Sequence, residues 1–159
     1  MNDRRVGPNE FAGHGEKDET VVTVLHVDDD PNDTALLQAA SRKAQLDFQI
    51  VNVEDGEQAV AYLNRVENTG GTLPSLVLLD LKMPRATGVE ILSWIRNHPN
   101  LNRIPVIVLS GSELQEDIRR AYDAGANSYL VKPLGFEALV EMIRSIDTQW
   151  LAARDRTSV

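Results

Sequence analysis

The stretch SLVLLDLKMPRATGVEIL, Ser75 to Leu92, decides how this chain folds. Its first part, SLVLLD (Ser75 to Asp80), is apolar on successive rather than alternate residues, as in a central parallel strand covered on both faces, and it stops at a carboxylate. Its second part starts a helix at Gly88, with Val89, Ile91, Leu92 and, just beyond, Ile95 at helical spacing before Pro99. Strand, loop and helix in that order make one β/α unit.

The unit recurs on both sides. Towards the N-terminus, VVTVLHV (Val21 to Val27) predicts a strand ended by Asp28, Asp29, Asp30 and Pro31, then a helix capped by Asn32 or Asp33 and running through Leu36, Leu37 and Ala40 to about Ala44. FQIVNV (Phe48 to Val53) predicts the next strand, and Asp55-Gly56 opens a helix with Ala59, Val60 and Leu63 that ends in a Gly-Gly loop, Asn68 to Leu73. Towards the C-terminus, PVIVLS (Pro105 to Ser110) is a further buried strand, followed by a helix over about Glu113 to Ala124 that Gly125 closes. SYLV (Ser128 to Val131) leads into Lys132-Pro133, and a last helix from Phe136 carries Leu139, Val140, Ile143, Ile146 and Trp150. Five strands alternating with five helices predict an α/β fold with a doubly wound parallel sheet.

The chain's 159 residues fit one domain with tails. Residues 1–20, which include the lone His14, read as a disordered N-terminal tail, residues 21–151 as the domain and residues 152–159 as a short C-terminal tail. A net charge of −8 counts against a nucleic-acid partner, and the absence of cysteine removes disulfides, thiolate nucleophiles and thiolate zinc sites. No apolar run is long enough to span a bilayer and the N-terminus is charged, so the expected location is cytoplasmic, with no membrane partner.

In an open parallel sheet the carboxyl ends of the strands meet at one edge, where ligands bind. That rule brings Asp28, Asp29, Asp80, Ser110 and Lys132 together. Three carboxylates in one place repel one another unless a cation intervenes, and an all-oxygen donor set favours Mg²⁺ over zinc. Each residue also has a plainer reading: the aspartates as turn and cap residues, Lys132 as a solvated side chain, and Ser110 as a strand end. Their convergence argues for the site.

The segments HVDDDPND, LLDLKMPRATGVEIL, IPVIVLSGS and GANSYLVKP together resemble the receiver domain of two-component response regulators, over about Val21 to Ile146. The resemblance implies a flavodoxin-like fold with strand order 2-1-3-4-5. It makes Asp80 the phosphoryl acceptor; Asp28 and Asp29, with Asp80 and the backbone carbonyl of Lys82, the Mg²⁺ ligands; and Ser110 and Lys132 the groups that hold the phosphoryl. It makes Ser110 and Tyr129 the switch pair, and in the family a cis proline, here Pro133, usually follows the lysine. Lys82 and Ser112 fall where the family tunes phosphate loss. The long loop after the second helix, IRNHPNLNRIPVIVLSGS and Trp150 are most similar to single-domain regulators paired with phytochrome-type histidine kinases.

The expected function is therefore a phosphoacceptor rather than an enzyme acting on a separate substrate, with self-catalysed phosphoryl transfer and dephosphorylation as its only chemistry. Its expected partners are a histidine kinase or phosphotransfer protein and a downstream protein. Few residues follow the last helix, so no output domain is expected. A homodimer through the face between the fourth and fifth helices, extended by Trp150 and Leu151, is a further expectation, set against Trp150 folding back on its own domain. The alternatives are a haloacid-dehalogenase-like phosphohydrolase with Asp28 as nucleophile and Asp30 as acid/base, and a constitutive receiver-like scaffold. Pro31 directly after the acidic run, and little chain to form a cap, argue against the phosphohydrolase.

Overall fold

The computed structural model of the protein describes residues 21–81, 83 and 88–152; the two expected tails, apart from Ala152, and Lys82 lie outside the described residues. The elements alternate as β1 (Thr23–Val27), α1 (Pro31–Lys43), β2 (Gln49–Val53), α2 (Gly56–Asn68), β3 (Leu76–Leu79), α3 (Gly88–Arg96), β4 (Val106–Ser110), α4 (Gln115–Asp123), β5 (Ser128–Val131) and α5 (Phe136–Ile146). The strands form one sheet in the order β2-β1-β3-β4-β5, all neighbours parallel.

The continuous apolar runs have the physical reason expected of them. Alternate residues of β3 serve opposite faces: Leu76 and Leu78 pack with Leu37 and Ala40 of α1 and Val140, Ile143 and Ile146 of α5. Val77 and Leu79 pack with Ala59 and Leu63 of α2 and Ile91, Leu92 and Ile95 of α3. A Leu buried in this way contributes about 2 kcal/mol by removal from water. Helix α4 covers the third part of the sheet, where Ala121 meets Val108, Leu81 and Tyr129.

Two helix boundaries differ from the sequence expectation. Asp30 caps α1, its carboxylate accepting from the Asn32 N–H at 2.9 Å, and Pro31 takes the first helical position, where no N–H is needed. This releases Asp33 from the capping role assigned to it. At the other end, α5 continues as a π-helical turn, Asp147–Leu151, that buries Leu151 and packs Trp150 partly against the α1/α5 core. Leu151 therefore does not extend an exposed apolar surface, and the fold-back reading of Trp150 describes its position.

Candidate functional site

Backbone ladders fix the strand ends. The Asp28 N–H donates to the Val53 carbonyl at 3.0 Å, the Asp80 N–H to Val27 at 3.0 Å and the Lys132 N–H to Ser110 at 2.8 Å. Asn52 ties β2 to β1, its Nδ2 donating to the carbonyls of His26 (3.1 Å) and Asp28 (3.2 Å). The result is one cluster at the carboxyl edge of the sheet. Asp28, Asp80 and Ser110 are buried polar residues, at 1, 7 and 2 % exposure.

The Lys132 ammonium bridges the cluster. Its Nζ is 2.6 Å from Asp33 Oδ2, 3.1 Å from Asp28 Oδ2 and 3.5 Å from Asp80 Oδ2. Burial alone would raise the Asp28 pKa, but hydrogen bonding by His26 and the Asp30 N–H and the charge of Lys132 outweigh it and hold the carboxyl well below the ordinary range. Burial alone would lower the Lys132 pKa, yet the hydrogen bond to Asp33 and the charges of Asp80 and Asp28 raise it above its ordinary value. Both groups are thus held in their charged forms.

Asp28, Asp29 and Asp80 present carboxylate oxygens that all lie within 4.8 Å of one another. The donor set is oxygen alone, with Asp29 exposed to solvent, so it fits a hard divalent cation that keeps water ligands. A cleft of about 430 Å³ opens beside it, lined by Asp80, Ser110, Gly111, Leu114 and Lys132 among others. The structure brings Asp28, Asp29, Asp80, Ser110 and Lys132 together at this edge, whereas Tyr129 lies outside the cluster and Lys82 outside the described residues. Pro133 does not follow Lys132 through a cis bond, since no described peptide bond is cis.

Behind Ser110 the hydrogen bonds run outward. The Ser112 N–H donates to Ser110 Oγ at 3.2 Å, and the Ser112 carbonyl accepts from the half-buried Tyr129 hydroxyl at 2.8 Å. Ser112 Oγ, in turn, donates to Asp117 Oδ2 of α4 at 2.5 Å and accepts from the Leu114 N–H at 3.2 Å. The Tyr129 N–H donates to the Tyr122 hydroxyl at 3.1 Å. A chain of hydrogen bonds thus links the Ser110 side chain to the start of α4 and to β5.

Sequence reasoning missed four contributors. Asp33 carried a signal, being three residues after a capping Asp, but its partner is 99 positions away. His26 is buried, with Nδ1 3.0 Å from Thr34 Oγ1 and Nε2 3.5 Å from Asp28 Oδ2, and its sequence setting resembles any strand position. Asn52 likewise gave no local signal. Gly88 was read as a helix start, yet a Cβ there would lie 2.8 Å from Leu81 Cα and closer still to the Asp80 carbonyl oxygen. Only glycine allows α3 to begin so near the Asp80 backbone.

A five-stranded doubly wound sheet with a carboxylate trio, a hydroxyl and an ammonium at its carboxyl edge defines a flavodoxin-like α/β domain with an oxygen-donor site. The comparisons narrow the class. Residues 24–144 match the response regulator receiver domain, and the chain belongs to that family. It is 40% identical over 128 residues to the probable methanogenesis regulatory protein FilR2 of Methanothrix harundinacea, covering 80% of this chain and 83% of that one. The crystal structure of the phosphorylated cyanobacterial phytochrome response regulator RcpA superposes with a TM-score of 0.76 at 35% identity, over 84% of this chain and 96% of that one. The Mn²⁺-bound response regulator Rcp1 gives 0.72 at 34% identity, over 82% and 94%.

Proposed function

We propose that the protein is a response regulator of a two-component phosphorelay, in which Asp80 accepts a phosphoryl group from the phosphohistidine of a histidine kinase of the phytochrome type. The observation that carries this reading is the Lys132 ammonium reaching both Asp80 and Asp28 beside the buried Ser110 hydroxyl. An Asp80 carboxylate oxygen attacks phosphorus, the O–P bond forms, and the N–P bond breaks with its electron pair leaving on the imidazole. Asp28, Asp29, Asp80 and the Lys82 carbonyl would hold Mg²⁺, which supplies charge neutralisation at the phosphoryl oxygens. Lys132 compensates a further oxygen, and Ser110 donates its hydroxyl to the phosphoryl group.

The same contacts support a signalling role. Drawing Ser110 Oγ towards the phosphoryl group disturbs its bond with the Ser112 N–H, and the Tyr129 hydroxyl and Asp117 carry that change to the α4–β5 face. Output then occurs by contact with a downstream protein or, through the α4 to α5 face, a second copy of this chain. Resemblance to RcpA and Rcp1 in sequence and fold supports the phytochrome-type pairing. The phosphohydrolase reading needs the Asp30 carboxylate over a substrate, whereas that group is occupied in capping α1.

Incubation with Mg²⁺ and acetyl phosphate is expected to give an acid-stable, base-labile adduct at Asp80, located by mass spectrometry and lost in Asp80→Asn. An adduct at Asp28, or rapid multiple turnover of varied phosphomonoesters, would overturn the proposal. Transfer from a panel of phosphorylated histidine kinases tests the pairing: the phytochrome-type members should react fastest, and equal rates across the panel would refute it.

A further inference from the structure

The shortest contact of the Lys132 ammonium is with Asp33, at 2.6 Å, rather than with Asp80 at 3.5 Å or Asp28 at 3.1 Å. Asp33 lies in the first turn of α1, outside the carboxylate trio that could share a cation. It is about one-third exposed, while Asp28 is buried, so its side chain is less confined by surrounding packing. We propose that Asp33 is a positioning residue for Lys132, drawing the ammonium towards α1 while Asp80 is unmodified and releasing it when a phosphoryl group arrives. This rests on the phosphoacceptor reading of Asp80 and deepens it.

The three carboxylates compete for one ammonium. A single ammonium with three carboxylates in reach divides its charge among them according to distance and burial. The share taken by Asp33 leaves more negative charge on Asp28 and Asp80 for a divalent cation. A phosphoryl group on Asp80 brings extra oxygens and charge, which shifts the balance and lets Nζ leave Asp33. Without Asp33, the ammonium settles onto Asp80 and Asp28 before any phosphoryl arrives and opposes cation binding there. His26 enters this exchange only at Asp28, whose Oδ2 it shares with Lys132 through Nε2 at 3.5 Å, while its Nδ1 faces Thr34.

The test compares wild type, Asp33→Asn and the charge-transposed double variant Asn32→Asp/Asp33→Asn. Asn32 is an exposed neighbour in the same helical turn, so the double variant keeps the net charge and the acidic helix start while moving the carboxylate off Nζ. Calorimetric titration of the cation-free protein with Mg²⁺ should show about fivefold weaker binding for Asp33→Asn, and the double variant should stay weak. The ¹⁵N resonance of Lys132 Nζ, read without Mg²⁺, should shift alike in both variants. Wild-type Mg²⁺ affinity in Asp33→Asn, or its recovery in the double variant, would overturn the inference, the latter by showing a through-space effect of charge alone. Wild-type protein that takes no phosphoryl at Asp80 would instead refute the phosphoacceptor reading, while both cation-free measurements would still report on the Asp33 contact.

Discussion

Replacing Lys132 with methionine keeps most of the side chain's length and apolar stem but deletes the cation that three carboxylates share. Its contacts with Asp33, Asp28 and Asp80 span 2.6–3.5 Å, and the side chain is only 25 % exposed. Charges about 4 Å apart attract by roughly 4 kcal/mol at an effective dielectric near 20, and losing one partner of a buried pair costs about 3–5 kcal/mol. Asp33 is 31 % exposed and can turn to water, which discounts its share. The expected net loss is about 2–4 kcal/mol in the absence of divalent cations, or roughly 6–12 °C in Tm for a chain of this size. Melts followed by circular dichroism in EDTA and in Mg²⁺ measure it. In the variant Asp28 keeps its hydrogen bonds from His26 and the Asp30 N–H but loses the Lys132 charge that also holds its pKa down. The penalty from Asp28 is then full above the unfolded carboxyl pKa and shrinks as pH falls below it. Mg²⁺ at 100 times the variant's Kd adds about 2.7 kcal/mol to it, more than the same concentration adds to wild type, where the ammonium competes for the carboxylates, so the deficit should shrink. A variant that melts with wild type in EDTA, or whose deficit Mg²⁺ leaves untouched, would refute the view that Lys132 serves as the resident cation of this cluster.

In wild type the depressed Asp28 pKa contributes stability that is complete above the unfolded value near 4 and lost as pH falls through the folded one. Urea unfolding at stepped pH should show an acid-side decline that is shallower in Asp28→Asn; equal slopes would contradict the pairing. The raised Lys132 pKa works in the opposite sense, complete below about 10.4 and lost as pH rises through the folded value. Gly88→Ala forces a methyl group against Leu81 Cα and the Asp80 carbonyl, so it should cost about 1–3 kcal/mol and slow phosphorylation of Asp80 by up to about 100-fold. Normal melting and a normal phosphorylation rate in that variant would show that the approach of α3 to β3 relaxes freely.

The fold was legible because its signals are local and repeated. Unbroken apolar runs at 76–79 and 106–109 mark strands buried on both faces, and Gly125, at φ +112°, closes α4 as the sequence suggests. The acidic trio, Ser110 and Lys132 were legible because parallel strands deliver their ends to one edge. The missing contributors were set by tertiary contact. Nothing near Asp33 in sequence announces an ammonium 99 residues away, and nothing near Asn52 announces the β1 carbonyls that it clamps. The cap of α1 went to Asp30 because Pro31 already fits the first helical position, a choice the neighbouring Asn32 and Asp33 obscured. Trp150 and Leu151 continue the helical periodicity of α5, and only the packing shows that the π-helical turn directs Leu151 into the core.

The site's residues fall into two sets with different freedom. Asp28, Asp80 and Ser110 lie at the ends of central strands, are buried, and are each held by a backbone hydrogen bond with a neighbouring strand. Asp29, Asp33 and Lys132 come from a loop, a helix start and the end of an edge strand, and all are at least partly exposed. The first set can keep the reacting oxygens at fixed positions, while the second can respond when the charge among them changes. Lys132 touches both sets, with contacts to Asp80 and Asp28 on one side and Asp33 on the other. A change of charge at Asp80 is therefore felt at the start of α1 as well as through Ser110, Ser112 and Tyr129 at α4 and β5. With Asp80 as the proposed phosphoryl acceptor, the α1 end, where Asp33 holds Lys132 at 2.6 Å, would be a second place at which a partner distinguishes the modified from the unmodified protein.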